Sequence, residues 1–274
     1  RSKALPVIHD INYEHDPSVM GRKSYLRYYK HFFPIFAKKA TRVATVSEFS
    51  RRDIASVYQI AESKIDVVYS AAKEEYKPCS KEEIVATKTR YTDSKDYFYF
   101  VGSLHKRKNL ANLFRAFDLF KTETQSDVKL VIVGSKMWWK GEVAEAFEAM
   151  KYKDEVIFTS RLSTEEVNRI ASASIACMFV SLFEGFGVPP LEAFRSGTAA
   201  VVSDVTSMPE ICGDAALYAD PLDPDAIKRA MMQLYSDPDL RQSCIDKGRE
   251  QANKFSWDKT ADLLWNSIIK TIQQ

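Results

Sequence analysis

The stretch SLFEGFGVPPLEAFRSG, residues 181–197, sets two carboxylates, Glu184 and Glu192, on either side of Gly185, Gly187, Pro189 and Pro190. Glycines let a backbone come close to a ligand. Prolines suit the first turn of a helix, where their missing N–H groups cost least. The amides near Val188, Leu191 and Glu192 would then point out of a helix N-terminus, which favours an anion such as phosphate. The stretch is not a dinucleotide fingerprint, because Pro190 stands where the third glycine is required. On these residues alone, an ordinary strand-to-helix turn stays open as the alternative.

A second loop, GSLHKRKN at 102–109, places His105, Lys106, Arg107 and Lys108 ahead of a helix that begins near Asn109. Arginine offers a planar fork to phosphate oxygens, and lysine a compact charge. Two such loops facing one cleft could neutralise a diphosphate without a metal. A single basic loop is as readily a solvated one. Asp-Pro-Asp occurs at 223–225 and again at 237–239. Each copy starts a helical pattern, so these aspartates read as caps and not as metal ligands.

Secondary structure must bring the two loops together. YFYFVGS (97–103), VKLVIVG (128–134), VIFTS (156–160), ASIACMFVS (173–181), TAAVVSD (198–204) and ALYAD (216–220) are apolar runs of strand character. Between them NLANLFRAFDLFKTE (109–123), EVAEAFEAMK (142–151) and STEEVNRIASA (163–173) repeat apolar residues with helical period. The last opens with a capping box of Ser163 and Glu166. Continuous apolar strands alternating with helices predict an α/β fold with a doubly wound parallel sheet. Ligands gather beyond the carboxyl ends of such strands, where both loops lie.

The start of the chain repeats the theme on a smaller scale. ALPVIHD (4–10), TRVATVS (41–47) and KIDVVYS (64–70) predict three strands, with a helix over 48–58, in a partial Rossmann-like unit spanning 1–71. Residues 72–94 read as a linker region and 95–254 as the larger unit. The tail, 255–274, holds an amphipathic helix opened by Ser256 and expected to cross back to the first unit.

With 45% apolar and 28% charged residues, the 274-residue chain has the composition of a globular protein. A net charge of +2 gives no reason to expect nucleic acid as a partner. Residues 1–53 nevertheless hold eleven lysines and arginines against five acids, which hints at an anionic partner or a membrane surface. In RKSYLRYYKHFFPIFAKKA (22–40) basic and aromatic residues interleave. That segment reads either as a helix packed on the first sheet and bent or ended by Pro34, or as a helix at a membrane interface. Cys79, Cys177, Cys212 and Cys244 show neither a redox pair nor zinc spacing. They fit a reducing compartment, and no apolar run here is long enough to cross a bilayer. A cytoplasmic location is expected, with peripheral contact at the inner membrane face through 22–40.

In these motifs the chain resembles the retaining glycosyltransferases of family 4, the glycosyl transferases group 1, whose fold is of the GT-B type. The E-x7-E pair Glu184 and Glu192 in EGFGVPPLEA, and Arg107–Lys108 in VGSLHKRKNL, carry the likeness. VIHD (7–10), TVSEFSRRDI (45–54), KIDVVYS (64–70), FTSRLSTEEV (158–167) and GTAAVVSDVTSMPEICGDAALYADPLDPDAI (197–227) extend it.

The resemblance implies transfer of a hexose from a nucleotide-diphosphate sugar to a glycan or lipid-linked acceptor, with retention at the anomeric carbon and neither metal nor cofactor. Glu192 would accept hydrogen bonds from the ribose hydroxyls. Glu184 would hold the sugar, helped by the amides of Phe186, Gly187 and Val188, with Gly185 and Leu191 in the same donor-binding stretch. Arg107 and Lys108, beside Ser103, would hold the diphosphate and stabilise the departing nucleotide. Ser160, Arg161 and Leu162 would border the base, and His9 would reach across the cleft to the sugar. Glu184 is similar to half of a glycosidase carboxylate pair. The resemblance instead implies a binding and electrostatic role, with no protein nucleophile. GFGVPPLEA together with RKN is most similar to bacterial mannosyltransferases of surface-polysaccharide and lipopolysaccharide assembly. A GDP-sugar is therefore the expected donor, and a UDP-sugar the alternative.

Three features depart from the family pattern. Ser103 stands where an arginine is common, and Ser70–Ala71 where Asn-Gly is common. Members also carry a longer first domain with a glycine-rich acceptor loop, so a preceding or separate segment is expected to complete it. Without that segment the alternative is a donor-binding fragment that turns nothing over.

Overall fold

A computed structural model describes residues 3–135 and 139–274 of the chain. In the first unit, β1 (Val43–Thr45) and β2 (Ile65–Val67) pair in parallel, with Val43 opposite Ile65. The strand expected over 4–10 is only a single bridge, Val7 to Ala44. There the Ala44 N–H donates to Pro6 O at 2.9 Å and the Ile8 N–H to Ala44 O at 2.9 Å. Pro6 has no N–H with which to extend the ladder. Three expected strands thus become two and a bridge.

Helices α1 (Asn12–His15), α2 (Lys23–Lys39) and α3 (Glu48–Tyr58) cover this small sheet. Pro34 does not end α2, which runs five residues beyond it. The ladder bond that Pro34 forfeits is offset by seating Leu26, Tyr29, Phe33 and Ala37 against the buried Ile8, Ile11, Tyr13 and Ile54.

Helix α4 (Lys81–Thr92) occupies half of the expected linker. Its start is a complete capping box: Ser80 accepts from the Glu83 N–H, and Glu83 accepts from the Ser80 N–H. The second unit follows, a six-stranded parallel sheet of β3 (Tyr97–Val101), β4 (Lys129–Val133), β5 (Val156–Thr159), β6 (Ala176–Phe179), β7 (Ala199–Ser203) and β8 (Leu217–Ala219). Their spatial order is β5-β4-β3-β6-β7-β8. The order reverses between β3 and β6, which makes the gap beyond their carboxyl ends the topological switch point.

Side chains alternate along each strand. Tyr97, Tyr99, Val131, Val133, Cys177 and Phe179 enter one apolar layer, while Phe98, Phe100, Leu130, Ile132 and Met178 enter the other. Both faces are covered, so the strands are apolar at nearly every position. The layers are completed by α5 (Leu110–Thr124), α6 (Glu142–Glu148), α7 (Thr164–Ala173), α8 (Val188–Arg195), α9 (Met208–Cys212), α10 (Pro224–Ser236) and α11 (Pro238–Ala252). Phe114, Phe117 and Phe120 of α5 are fully buried, each contributing about 1.5–3 kcal/mol. Asp223 caps α10 through the Asp225 N–H, and Asp237 caps α11 through the Leu240 N–H. The expected capping box of α7 is only half made. Ser163 accepts from the Glu166 N–H, but the Glu166 carboxylate turns to the Tyr91 hydroxyl and Arg90, tying α7 to α4.

The last helix, α12 (Trp257–Gln273), lies against the first unit. The Ser267 hydroxyl donates to Asp66 at 2.7 Å, and the Thr260 hydroxyl to the Tyr69 carbonyl at 2.6 Å. Arg42, directly before β1, also grips Asp66, with contacts of 2.6 and 2.7 Å. Burial alone would raise the Asp66 carboxyl, yet the bonds from Arg42, Ser267 and Lys270 hold it at about 2.

Candidate functional site

The loop after β3 opens with Gly102 and closes on the short turn Lys106–Lys108. His105 shapes that turn, its Nδ1 accepting from the Arg107 N–H at 3.2 Å. Asn109 ends it in a left-handed conformation, φ +59°. Its amide donates to the carbonyls of Val180 and Pro221 at 2.9 and 2.6 Å, which locks the loop to the one after β6. The Leu182 N–H to Arg107 O bond, 2.9 Å, makes a second tie.

The loop after β6 brings Glu184 between the two cations. Arg107 lies 2.7 Å and Lys108 2.6 Å from its carboxylate oxygens, and Arg107 also donates to the Phe183 carbonyl at 2.6 Å. Lys108 stands over the Phe179 ring, 4.6 Å from its centroid. Glu184 is only 7% exposed. Burial by itself would raise its carboxyl, but Lys108 and Arg107 more than offset this and hold it below the usual range. Burial also pulls the Lys108 ammonium down, against the attraction of Glu184. The pair is ionised, because Arg107 supplies the carboxylate with a second cation. The sequence-based expectation gave Glu184 to the sugar and the two cations to phosphate. In the folded chain the three form one closed cluster at the switch point.

Hydroxyls pin this loop from its carbonyl side. Ser207 donates to the carbonyls of Glu184 and Phe186 at 2.9 and 3.0 Å. Ser47 and Ser50, from the first unit, donate to the Gly185 carbonyl at 2.6 and 3.2 Å. Gly185 passes so close to the first unit that a Cβ there would lie 2.7 Å from Asp10 and 2.9 Å from the His9 carbonyl. Gly187 takes φ +99°, and a Cβ there would meet Met208 at 2.2 Å. With the carbonyls occupied, the amides of Phe186, Gly187 and Val188 donate to no protein atom among the described residues. Gly187 caps α8, and Pro189 and Pro190 fill its first turn. The Glu192 amide lies beyond the four free N-terminal positions and is used within the helix, so it does not face a ligand as expected. Leu191 is fully buried by its side chain, and Phe186 packs on Tyr69 and Phe255.

Glu192 sits apart from the cluster, half-buried beneath the chain that joins the two units. The Tyr76 hydroxyl bonds to it and Lys73 lies near. Burial raises its carboxyl, only partly opposed by Tyr76 and Lys73. Behind it the Cys177 thiol, fully buried, is pushed up to about 12.

A cavity of about 350 Å³ opens beyond β3, β4 and β5, lined by Gly102, Ser103, Gly134, Ser135, Arg161 and Leu162. Ser160, expected at its border, is exposed and does not line it. The His9 side chain is exposed beside Gly185. Across the same seam His15 bonds to Asp53 at 2.8 Å and stacks on Phe183 at 5.2 Å. Sequence reasoning missed Ser47, Ser50, Ser207, Asp10 and Tyr76. The serines lie inside TVSEFS and VTSMPE, where they read as helix caps, so the only available signal was their clustering in those stretches.

Two Rossmann-like units, a switch-point cleft and a charged seam between them define the GT-B type of fold. The chain belongs to the glycosyl transferases group 1, the family that matches residues 81–251. It is 30% identical over 257 residues to the O-antigen chain mannosyltransferase B of Escherichia coli, covering 93% of this chain and 67% of that protein. It is 26% identical to the serotype-specific mannosyltransferase WbdA of Escherichia coli, over 98% of this chain but only 33% of that much longer protein. Among solved structures, HepE of Anabaena in complex with UDP and glucose superimposes with a TM-score of 0.82 at 15% identity, over 97% of this chain and 71% of that one.

Proposed function

We propose that the chain transfers a hexose, mannose by preference, from a nucleotide-diphosphate sugar to a glycan or lipid-linked acceptor with retention of configuration and without a metal. The observation that carries this is the buried Arg107–Glu184–Lys108 cluster at the switch point, beside main-chain amides that donate to no protein atom among the described residues. The related proteins named for O-antigen mannosyl transfer favour mannose, and hence a GDP-sugar, over the UDP-glucose found in complex with HepE.

The reaction needs negative charge stabilised on the departing diphosphate. Arg107 and Lys108 are cations already held in a largely buried site, where such stabilisation is stronger than in open solvent. The amides of Phe186, Gly187 and Val188 would add neutral donors. As phosphate oxygens draw the cations, the Glu184 carboxylate is released to accept from sugar hydroxyls. Glu192, an acceptor with two oxygens, would take the ribose hydroxyls, and the cavity at Ser103, Arg161 and Leu162 the base. His9 would close the sugar site from the first unit. An acceptor carried on a lipid would bring the protein to a membrane face through residues 22–40.

Calorimetry with GDP, UDP and ADP tests the donor half of the reading, and transfer from GDP-mannose to a lipid-linked or glycan acceptor tests the rest. Proton NMR of the product reports the anomeric configuration. Tight GDP binding without turnover would favour the donor-binding fragment. Binding of none of the three would end both readings.

A further inference from the structure

Glu210, in α9 of the second unit, caps a helix of the first. Its two carboxylate oxygens accept from the Glu48 and Phe49 N–H groups at 2.8 and 2.9 Å, the opening amides of α3. A helix leaves such amides without partners of its own and favours a negative charge beside them. The Tyr69 hydroxyl also faces Glu210, and burial and then that carboxylate push the phenol up. Glu210 forms no ion pair among the described residues, so its charge is met by the start of α3.

The helix that Glu210 caps is the one that grips the loop after β6. Ser47, the cap residue of α3, and Ser50, in its first turn, both donate to the Gly185 carbonyl. From the other side Ser207, directly before α9, donates to the carbonyls of Glu184 and Phe186. The bonds therefore close a ring that crosses the seam twice: loop to α3, α3 to Glu210, and α9 back to the loop. Thr206 enters this segment at φ +59°, a left-handed conformation that a β-branched residue keeps only where its surroundings over-determine it. Its hydroxyl accepts from the Glu184 N–H at 3.3 Å, and Phe186 of the same loop packs on Tyr69.

We propose that Glu210 is a positioning residue for the donor: it docks α3 so that the loop carrying the amides of Phe186, Gly187 and Val188 takes its shape only when the two units are together. When α3 withdraws, the buried Gly185 carbonyl loses both of its donors and the ring opens there. A nucleoside diphosphate that uses those amides favours the docked arrangement, and by reciprocity it strengthens the hold of Glu210 on α3. Glu210 itself touches no donor atom. The inference rests on the transfer reading for the identity of the ligand, and the outcomes below keep the two apart.

Glu210→Ala vacates the place of the carboxylate, and Glu210→Gln leaves one acceptor oxygen for two amides. Calorimetry with GDP on the full chain should give an affinity about ten-fold lower for the alanine variant, the worth of one charge-assisted hydrogen bond, with the glutamine variant in between. Added acetate should refill the vacated place and restore most of the affinity of Glu210→Ala while leaving the parent unchanged, a rescue that general loosening of the fold would not allow. Hydrogen exchange supplies the second readout. GDP should slow the Glu48 and Phe49 amides of the parent, which the nucleotide does not touch, and leave them fast in Glu210→Ala. With GDP-mannose and an acceptor, the loss should fall on KM more than on kcat. Thermal melting confirms that the variants fold. Parent-like GDP affinity in Glu210→Ala overturns the proposal, and so does a loss that acetate does not recover. GDP that binds the parent without slowing those two amides overturns it as well. If the parent binds none of GDP, UDP and ADP, the transfer reading fails and takes the coupling with it, whereas parent-like binding by Glu210→Ala overturns the coupling alone.

Discussion

Glu184 and Glu192 are the two ends of one short stretch, and the fold puts them in opposite situations. Glu184 is on a loop, buried, with a cation on each side and its carboxyl held below the ordinary range. Glu192 is in the second turn of α8, half-buried, with a tyrosine hydroxyl and a more distant lysine, and its carboxyl is raised. The same residue type is locked in one place and available in the other. The lesson is that neighbouring charge, not residue type, decides which of the two carboxylates is held by cations and which is not.

The sharpest way to break this contrast is Glu184→Ala. It leaves Arg107 and Lys108 buried and facing each other, so stability should fall by about 3–5 kcal/mol, read from denaturant unfolding. Glu184→Gln keeps the shape and should still abolish most transfer. If Glu184→Ala melts like the parent, the cluster does not hold the loop.

Glu192→Ala is the complementary experiment. It should weaken nucleoside-diphosphate binding by about ten- to a hundred-fold, the loss of one or two hydrogen bonds to a charged group. The ligand-free melting temperature should stay level or rise, because burying this carboxylate is unfavourable. An unaltered affinity would remove Glu192 from the ribose site.

Acidity should separate the two further. The raised carboxyl of Glu192 protonates at a higher pH than a free glutamate, and only its ionised form accepts two hydroxyls. Nucleotide affinity is thus complete above that raised value and is lost as pH falls through it. Glu184 has the opposite sign. Its contribution to stability is full above the ordinary glutamate value and disappears only as pH falls through the depressed one. Calorimetry against pH should therefore lose binding before circular dichroism detects unfolding, and Glu192→Gln should flatten the binding curve.

The smallest effect is expected from Tyr76→Phe. Removing the hydroxyl that partly restrains Glu192 should move the acid limb of nucleotide binding to higher pH and cost about 0.5–1.5 kcal/mol of stability. No displacement of that limb would show that Tyr76 does not tune Glu192.

The six strands of the second unit were legible because the sheet is covered on both faces and the strands are apolar at nearly every position, as in YFYFV and KLVIV. The first unit was less so. Val7 and Ile8 look like strand residues, but Pro6 beside them cannot donate, and no local pattern reveals a missing ladder bond. KEEIVATKTRYT looked like a linker because its helix buries mainly threonines, an amphipathic signal that is weak in apolar residues.

Residue type and spacing in this chain determined which groups carry charge, where glycine permits close approach, and which runs become strands, because these depend on chemistry within a few residues. Only the tertiary structure decided that Arg107 and Lys108 would close on Glu184 rather than stand open, and that Ser47, Ser50 and Ser207 would hold its loop. The pairings of Lys108, Arg107, Ser50 and Ser47 join residues some 76 to 138 positions apart, and those of Ser207 span 21 and 23. The cation pairings exist because the parallel order of the sheet brings the ends of β3 and β6 side by side. The serine bonds exist because the first unit and the segment after β7 pack on that loop, and no short window of sequence contains either fact.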